Sequence, residues 1–162
     1  IRDSSTSRGL GDVYKRQVNN LKPRAVLDVG CGYNEFKGKI NNLIGIDPYN
    51  NKADLEVGTL QYRTDQKFDV ILCLGSVNFG SRDKIIAEVG RCVDLLAEGG
   101  TMFFRVNPGV QHDKPEADWI EFYAWNVPFI IELSEIYNLK ILDIRDDTNS
   151  RKYFVYKKHG AQ

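Results

Sequence analysis

The stretch LDVGCGYNEF, residues 27–36, places a carboxylate inside an apolar run and follows it with two glycines. The run AVLDVG has the length and composition of a buried strand, so Asp28 is predicted to be buried. A buried carboxylate is costly unless a partner satisfies it. Gly30 and Gly32 predict a tight turn whose backbone approaches a ligand closely. The pattern therefore predicts a binding site after the first strand, in which a cationic group compensates Asp28.

Two kinds of nucleotide site compete for this turn. The dinucleotide fingerprint requires a further glycine at position 35, and Glu35 stands there. A nicotinamide site also has no obvious use for a carboxylate just before the turn. An NAD-dependent oxidoreductase is therefore disfavoured.

Short apolar runs bounded by turn residues predict the elements that would position this site. Seven strands are predicted, at 25–30, 43–47, 53–57, 68–74, 101–107, 140–146 and 152–158. One helix is predicted after the fourth strand, with Ser81 as N-cap, Asp83 in its first turn and Gly99-Gly100 closing its end. A second is predicted from Val127 to Tyr137, with Pro128 in its first turn and Ile130, Leu133 and Ile136/Tyr137 facing inward.

Near-continuous apolar strands joined by helices are typical of a sheet that is buried on both faces. We therefore predict a doubly wound α/β fold with a mostly parallel, seven-stranded sheet. The polar turn DDTNS, 146–150, predicts that the last two strands form an antiparallel hairpin. Only about ten residues separate Gly32 from Leu43, so the helix after the first strand is expected to be one or two turns at most.

Composition limits the classes of protein and partner. With 162 residues, 42% of them apolar, the chain suits one domain. Lys plus Arg and Asp plus Glu are 22 each, so no net charge draws it to nucleic acid or membranes. Cys31, Cys73 and Cys92 show no CxxC spacing and there are two histidines, so neither a disulfide framework nor a metal site is expected. No apolar run reaches the ~18 residues of a membrane span. A cytoplasmic protein is expected.

Residues 1–17, IRDSSTSRGLGDVYKRQ, are polar and show no apolar period. Their end, DVYKRQ, is also the translation of GATGTGTATAAGAGACAG, which resembles the transposase mosaic-end sequence used in library preparation. We interpret 1–17 as a non-native, sequencing-derived segment outside the fold and 18–162 as a single domain. A genuine extension, disordered or helical, is the alternative. Under the first interpretation, deleting 1–17 leaves the melting temperature and ligand affinity unchanged.

LDVGCG resembles motif I of the Rossmann-like (class I) S-adenosylmethionine (SAM)-dependent methyltransferases. The resemblance continues in order through IGIDPYN (44–50), VGTL (57–60), KFDVILCLGSVNF (67–79) and LLAEGGTMFFRVNPG (95–109). It implies an enzyme that binds SAM, releases S-adenosylhomocysteine and needs no metal.

The resemblance also implies roles for individual residues. Asp28 would organise the methionine amino group, directly or through water, and Asp47 would hold the two ribose hydroxyls. Alternatively, Asp28 caps the turn's own N–H groups and Asp47 is a solvated strand-end residue. The implied cofactor-binding residues are Asp28, Gly30, Cys31, Gly32, Asp47, Pro48, Gly58, Thr59, Leu60, Gly75 and Ser76. Two positions depart from the family pattern: Asn34 replaces a frequent glycine, which its tolerance of the left-handed region allows, and Thr59 replaces an acidic residue beside the adenine.

Methyl transfer depends on alignment and desolvation more than on a strong base. The candidate catalytic residues are Asn78, Asn107 and His112, and the candidate substrate-binding residues are Asn78, Arg105, Asn107, Trp119 and Tyr123. Arg105 could instead pair with a neighbouring acid, His112 could be an exposed loop histidine, and Trp119, Phe122, Tyr123 and Trp125 could be core. The expected acceptor is the oxygen or nitrogen of a small molecule or of a glycan or lipid precursor. A non-catalytic SAM-binding module and an RNA methyltransferase are the alternatives.

Overall fold

The computed structural model describes residues 8–75, 77, 80–106, 125–148 and 150–160. Within these ranges the elements follow one another as α1 (Arg8–Asn20), β1 (Val26–Val29), β2 (Leu43–Ile46), β3 (Phe68–Leu74), α2 (Arg82–Leu95), β4 (Leu96–Val106), α3 (Val127–Ile136), β5 (Leu139–Asp147) and β6 (Arg151–Lys158). The strands form one sheet in the order β2-β1-β3-β4-β6-β5. Neighbours from β2 to β4 are parallel, and β6 is antiparallel to both β4 and β5. The predicted doubly wound sheet with a C-terminal antiparallel hairpin is confirmed.

Alternate residues of the strands divide the core into two layers. One layer joins inward residues of α2 and α3 to strand residues such as Leu27, Ile71 and Phe104. The other joins Tyr14 and Val18 of α1 to the opposite face of the same strands. Because both faces are covered, the central strands are apolar almost throughout.

The run 53–57, predicted as the third of seven strands, forms no strand, and the sheet has six strands within the described residues. This run makes one isolated parallel bridge, between Ile46 and Leu55. The side chain of Asp54 accepts the N–H of Gly45 at 2.8 Å, and the N–H groups of Asp54 and Leu55 both point to the carbonyl of Gly45. The carboxylate of Asp54 therefore accepts the N–H of Gly45, which a strand carbonyl would accept in a regular β-ladder. Such competition with backbone hydrogen bonds is one reason why aspartate is rare in strands.

The connection from β1 to β2, residues 30–42, contains turns and no α-helix. Positive φ angles occur at Gly32 (58°), Asn34 (61°), Gly38 (82°) and Asn42 (62°). The short connection predicted from the spacing is confirmed, and so is the prediction that Asn34 tolerates the left-handed region.

The start of α2 matches the prediction, but its end does not. Ser81 accepts the backbone N–H of Lys84 at 3.2 Å, and Asp83 lies in the first turn. The helix passes directly into β4, so Gly99 and Gly100 lie inside the strand instead of closing the helix. Lys158 of β6 donates to the carbonyls of Val93 and Leu96, both at 3.0 Å, and so supplies the partners that a glycine cap would have provided.

Helix α3 begins after Asn126, whose side chain accepts the N–H of Phe129 at 2.9 Å. Pro128 lies in its first turn, and Ile130 and Leu133 are buried as predicted. Ile136 is exposed, contrary to the prediction. Tyr137 faces α2 in its place, where its hydroxyl donates to the carbonyl of Ile86 at 2.5 Å.

Helix α1 begins at Arg8, inside the segment 1–17 that the sequence interpretation excludes from the fold. Tyr14 of that segment is buried and its ring centroid lies 6.0 Å from that of Tyr153 on β6. In the structure, residues 8–17 therefore form part of a helix that packs against the sheet, and whether the fold needs them stays a prediction. The sequencing-derived origin of 1–17 stays a prediction.

Candidate functional site

The site predicted from the sequence lies where β1 ends between two neighbouring strands. The backbone of Asp28 is level with Gly45 of β2 on one side and Leu72 of β3 on the other. The chain leaves β1 to form β2 and then crosses β1 to form β3, so β1 lies at the switch point of the sheet. In open α/β sheets, ligands bind beyond the carboxyl ends of the strands at such a point.

Asp28 lies within β1 and is fully buried, as the sequence predicts. Gly30, which follows the strand, is also buried and has a φ of 64°. Gly75, which follows β3, is buried with a φ of 101°. These two glycines bring backbone without side chains to the edge where Asp28 supplies a carboxylate.

Asp47 follows β2 and is only 1% exposed. Its Oδ2 atom accepts the N–H of Gly32 at 3.0 Å, and its Oδ1 atom accepts the N–H of Tyr49 at 2.8 Å. The alternative of a solvated strand-end residue is therefore wrong. Asp47 ties the loop after β1 to the loop after β2, and its expected contact with ribose hydroxyls stays a prediction.

Cys31 is buried in the turn, where its N–H donates to the carbonyl of Ile46 at 2.9 Å. It is a small side chain in the turn between Gly30 and Gly32, and its implied contact with the cofactor stays a prediction. Elsewhere, a hydrogen bond with Cys92 and burial raise the pKa of the Cys73 thiol well above its usual value, so Cys73 is a neutral thiol in the core.

The loop predicted to lie beside the adenine is near the end of β2. Gly58, Thr59 and Leu60 are half-buried, and the carbonyl of Gly58 accepts the N–H groups of Gln61 and Tyr62 in a turn. A Cβ atom placed on Gly58 would lie 4.0 Å from Cβ of Pro48, which is exposed. The structure thus brings this loop to the residue that follows Asp47.

Arg105 was one candidate for substrate binding, with pairing to an acid as the alternative. It lies on β4, its side chain is 1% exposed, and its Nε atom donates to Oδ2 of Asp147 at 3.0 Å. Its Nη2 atom donates to the carbonyl of Thr148 at 3.2 Å. The structure favours the ion pair that joins β4 to the end of β5.

Trp125 is the last residue of the aromatic cluster Trp119, Phe122, Tyr123 and Trp125, which the sequence analysis gives as possible core. It is fully buried, packs edge-on against Phe129 with ring centroids 4.9 Å apart, and donates from Nε1 to the carbonyl of Val77 at 2.9 Å. This member of the cluster is core, and it holds the loop after β3. The remaining residues singled out in the sequence lie outside the described residues: Ser76, Asn78, Asn107, His112, Trp119, Phe122 and Tyr123.

The sequence reasoning missed Asp54. One oxygen of its carboxylate accepts from Gly45 N at 2.8 Å, Lys37 Nζ at 3.1 Å and Asn34 Nδ2 at 3.4 Å. Burial opposes ionisation of this carboxyl, but these hydrogen bonds outweigh it and lower its pKa. The only signal in the sequence was an aspartate inside a run otherwise interpreted as a strand.

Across the described ranges, no group of three or more His, Cys, Asp and Glu side chains has the arrangement of a metal site. Within the same ranges, no helix has both the length and the apolarity that crossing a membrane requires. None of the three cysteines, which all lie in the described part of the chain, forms a disulfide bond.

The sequence matches no family model, and it matches no curated protein. Solved structures are similar in fold. The 1,6-didemethyltoxoflavin-N1-methyltransferase of Burkholderia thailandensis, solved with 1,6-didemethyltoxoflavin and S-adenosylhomocysteine, has a TM-score of 0.74 at 15% identity over 97% of this chain and 81% of its own. CalS10, an amino pentose methyltransferase of Micromonospora echinaspora solved with SAM, has a TM-score of 0.69 at 13% identity over 91% and 89%.

The N-methyltransferase NodS of Bradyrhizobium japonicum, solved with S-adenosylhomocysteine, has a TM-score of 0.66 at 16% identity over 91% of this chain and 86% of its own. In all three cases the likeness covers more than nine tenths of this chain. The chain therefore has the Rossmann-like fold of the class I S-adenosylmethionine-dependent methyltransferases.

Proposed function

We propose that this protein is a SAM-dependent methyltransferase whose acceptor is the oxygen or nitrogen of a small molecule or of a glycan or lipid precursor. The observation that carries the proposal is the position of two buried carboxylates, Asp28 and Asp47, and two left-handed glycines, Gly30 and Gly32. All four lie at or just after the carboxyl ends of β1 and β2, at the switch point. The similar structures support it, because two of them are named for small acceptors, a didemethyltoxoflavin and an amino pentose.

The residues at this edge fit SAM in charge and in shape. Asp28 is fully buried. A cation would stabilise its carboxylate, and the methionine part of SAM carries an ammonium group. Gly30 and Gly32 let backbone approach the ligand without a side chain between them. Each carboxylate oxygen of Asp47 accepts one backbone N–H and has a further lone pair for a ribose hydroxyl.

When bound, SAM supplies a methyl group on a positively charged sulfur. The protein's part in such a transfer is alignment of the two reactants and exclusion of water. Val77 and Trp125 are fully buried and hydrogen-bonded to each other beside the loop that follows β3. We propose that this contact fixes the position of Val77, the neighbour in sequence of the cofactor candidate Ser76 and the acceptor-side candidate Asn78.

The remaining acceptor-side roles are proposals that rest on the sequence resemblance. Asn107 and His112 are the other candidate catalytic residues, and Trp119 and Tyr123 are the other candidate substrate contacts. The cytoplasmic location expected from the cysteine spacing also stays a prediction.

Titration calorimetry with S-adenosylhomocysteine tests the cofactor. We expect saturable binding of SAM and S-adenosylhomocysteine and none of NAD(H). Asp47→Ala should weaken S-adenosylhomocysteine more than tenfold, because hydrogen bonds to a charged group contribute about 1.5–3 kcal/mol each. Asp47→Asn serves as a second variant of nearly unchanged size, and Asp65→Ala, at an exposed position, is the control.

Wild-type affinity in a folded Asp47 variant would contradict the assigned contact. Binding of NAD(H) in place of the sulfur compounds would reject the cofactor itself. A protein that binds SAM and transfers no methyl group to any fraction would be a SAM-binding module instead of an enzyme.

The acceptor class is tested by incubating the protein with methyl-labelled SAM and a fractionated cell extract. We expect label in the small-molecule fraction, or in the fraction that contains glycan and lipid precursors. Label confined to RNA would reject the proposed acceptor class while leaving the methyltransferase activity in place.

A further inference from the structure

Four residues from three segments meet at the outer edge of β2, and we call them the Asp54 clamp: Asn34 and Lys37 of the β1–β2 connection, Gly45 of β2, and Asp54 of the segment that follows. One carboxylate oxygen of Asp54 accepts hydrogen bonds from the other three. The side chain of Asp54 is 30% exposed and that of Lys37 is 49% exposed, so the clamp lies at the surface.

Asn34 fits the clamp through its backbone and its side chain. Its φ of 61° turns the chain, and its Nδ2 atom donates to the carbonyl of Lys52 at 3.1 Å as well as to Asp54. The side chain lies directly against Gly45, where a Cβ atom would come within 2.3 Å of Oδ1 of Asn34 and 2.8 Å of Sγ of Cys31. Gly45 therefore has to be a glycine for the side chain of Asn34 to occupy this position.

The clamp is close in sequence to both partners of the hydrogen bond between Gly32 and Asp47, which shapes the candidate cofactor site. Gly32, two residues before Asn34, donates to the carboxylate of Asp47, two residues after Gly45. The segment of Asp54 also reaches Asp47, whose N–H donates to the carbonyl of Leu55 at 3.2 Å. The clamp thus holds both chain segments that bring Gly32 and Asp47 together.

A helix packed on the sheet would fix such a loop, but residues 30–42 contain none. We propose that Asp54 is a positioning residue that, through Asn34 and Gly45, holds the loop carrying Gly30 and Gly32 in the conformation that binds SAM. This inference rests on the proposed function and deepens it. The residue acts through the loop and contacts no cofactor atom in the proposal.

Two variants remove the clamp without removing the turn. Asp54→Asn keeps the size of the side chain and removes its charge. Asn34→Gly keeps the left-handed backbone conformation and removes the side chain. We expect each to weaken S-adenosylhomocysteine about tenfold, the size of one lost hydrogen-bond contribution. Asp54→Glu should recover most of the affinity. Glu56 is an exposed acid of the same segment, and Glu56→Gln is the charge-matched control. Its affinity should stay within twofold of the wild type, because Glu56 is not part of the clamp.

Hydrogen exchange of the Gly32 amide in the ligand-free protein provides a readout that general destabilisation would not mimic. In Asp54→Asn and Asn34→Gly this amide should exchange faster, while amides of β6 keep wild-type protection. The double variant should weaken binding less than the product of the two single effects, because both remove the same contact.

The outcomes separate the two proposals. If the wild-type protein fails to bind S-adenosylhomocysteine, the proposed function is wrong. If the wild type binds and both clamp variants bind equally well, with wild-type exchange at Gly32, Asp54 does not position the loop. Equal loss of protection at Gly32 and throughout β6 would assign Asp54 a purely structural role and would also overturn the inference.

Discussion

Arg105 shows how a buried charge is stabilised beside the candidate site. Its guanidinium lies on the α1 face of the sheet, where it donates through Nε to Asp147 and through Nη2 to the carbonyl of Thr148. The side chain of Asp147 is 17% exposed, so the pair is largely removed from water. Removing one partner of such a pair leaves a charge without compensation in a poorly solvated place.

We therefore expect Asp147→Ala to lower the free energy of unfolding by about 3 kcal/mol, the lower end of the range for a broken buried ion pair, because the carbonyl of Thr148 remains as an acceptor. Asp146→Ala is the neighbouring control. Asp146 pairs with Lys152, but its side chain is 84% exposed, and such surface pairs contribute about 0–1 kcal/mol. Urea unfolding monitored by circular dichroism measures both. A loss in Asp146→Ala as large as that in Asp147→Ala would contradict this account.

Among the elements, α1 differs most from the sequence interpretation, which places residues 1–17 outside the fold. Tyr14 and Val18 are one turn apart on the face that packs against the sheet, and both are buried, whereas Val13 is 47% exposed. Burial raises the pKa of the Tyr14 hydroxyl above its usual value, so the group stays neutral. The helix covers a face of the sheet that would otherwise expose apolar side chains of β3, β4 and β6.

Tyr14→Ala should therefore lower the free energy of unfolding by about 2–4 kcal/mol, as for other large buried side chains. Val13→Ala should change it by less than about 0.5 kcal/mol, as is usual for exposed positions. Thermal unfolding of these variants and of the chain lacking residues 1–17 decides the matter. If all three melt like the wild type, the segment contributes nothing to the fold, as the sequence interpretation predicts.

The elements that could be predicted are those whose signals are local. Ser81 with Asp83 marks the start of α2, Pro128 marks the start of α3 within a few residues, and LDVG marks β1. The end of α2 could not be predicted, because its carbonyls bind Lys158, which is more than sixty positions away. The missing third strand depends on Asp54, whose partners Asn34 and Lys37 are 20 and 17 positions distant.

In the candidate site, too, the features with local signals could be predicted and the long-range contacts could not. Asp28, Gly30, Gly32 and Asp47 belong to short motifs, so their neighbourhood at one edge of the sheet follows from strand order. That Asp47 binds Gly32, and that Arg105 binds Asp147, are properties of the packed chain, since residue types alone allow other partners.

At the scale of the whole molecule, charge balance bears on the acceptor. Lys plus Arg and Asp plus Glu are equal at 22, so no net field draws a polyanion to the protein. We expect methyl transfer to change little between about 50 and 200 mM salt, whereas a nucleic acid held by several phosphates would lose orders of magnitude in affinity. Initial rates measured across this range test the point. A steep fall with labelled RNA as the product would contradict it.

The Asp54 clamp has a second consequence, for the behaviour of the protein at high concentration. In the described ranges no strand lies beyond β2, which therefore forms an edge of the sheet. Open edges recruit other chains into continuous sheets. Here the carbonyl of Leu43 binds the ammonium of Lys37, the N–H of Gly45 binds Asp54, and the N–H of Asp47 binds the carbonyl of Leu55. The groups that a second copy would need for edge-to-edge aggregation are thus already bonded within the chain, with a charged pair in front of them.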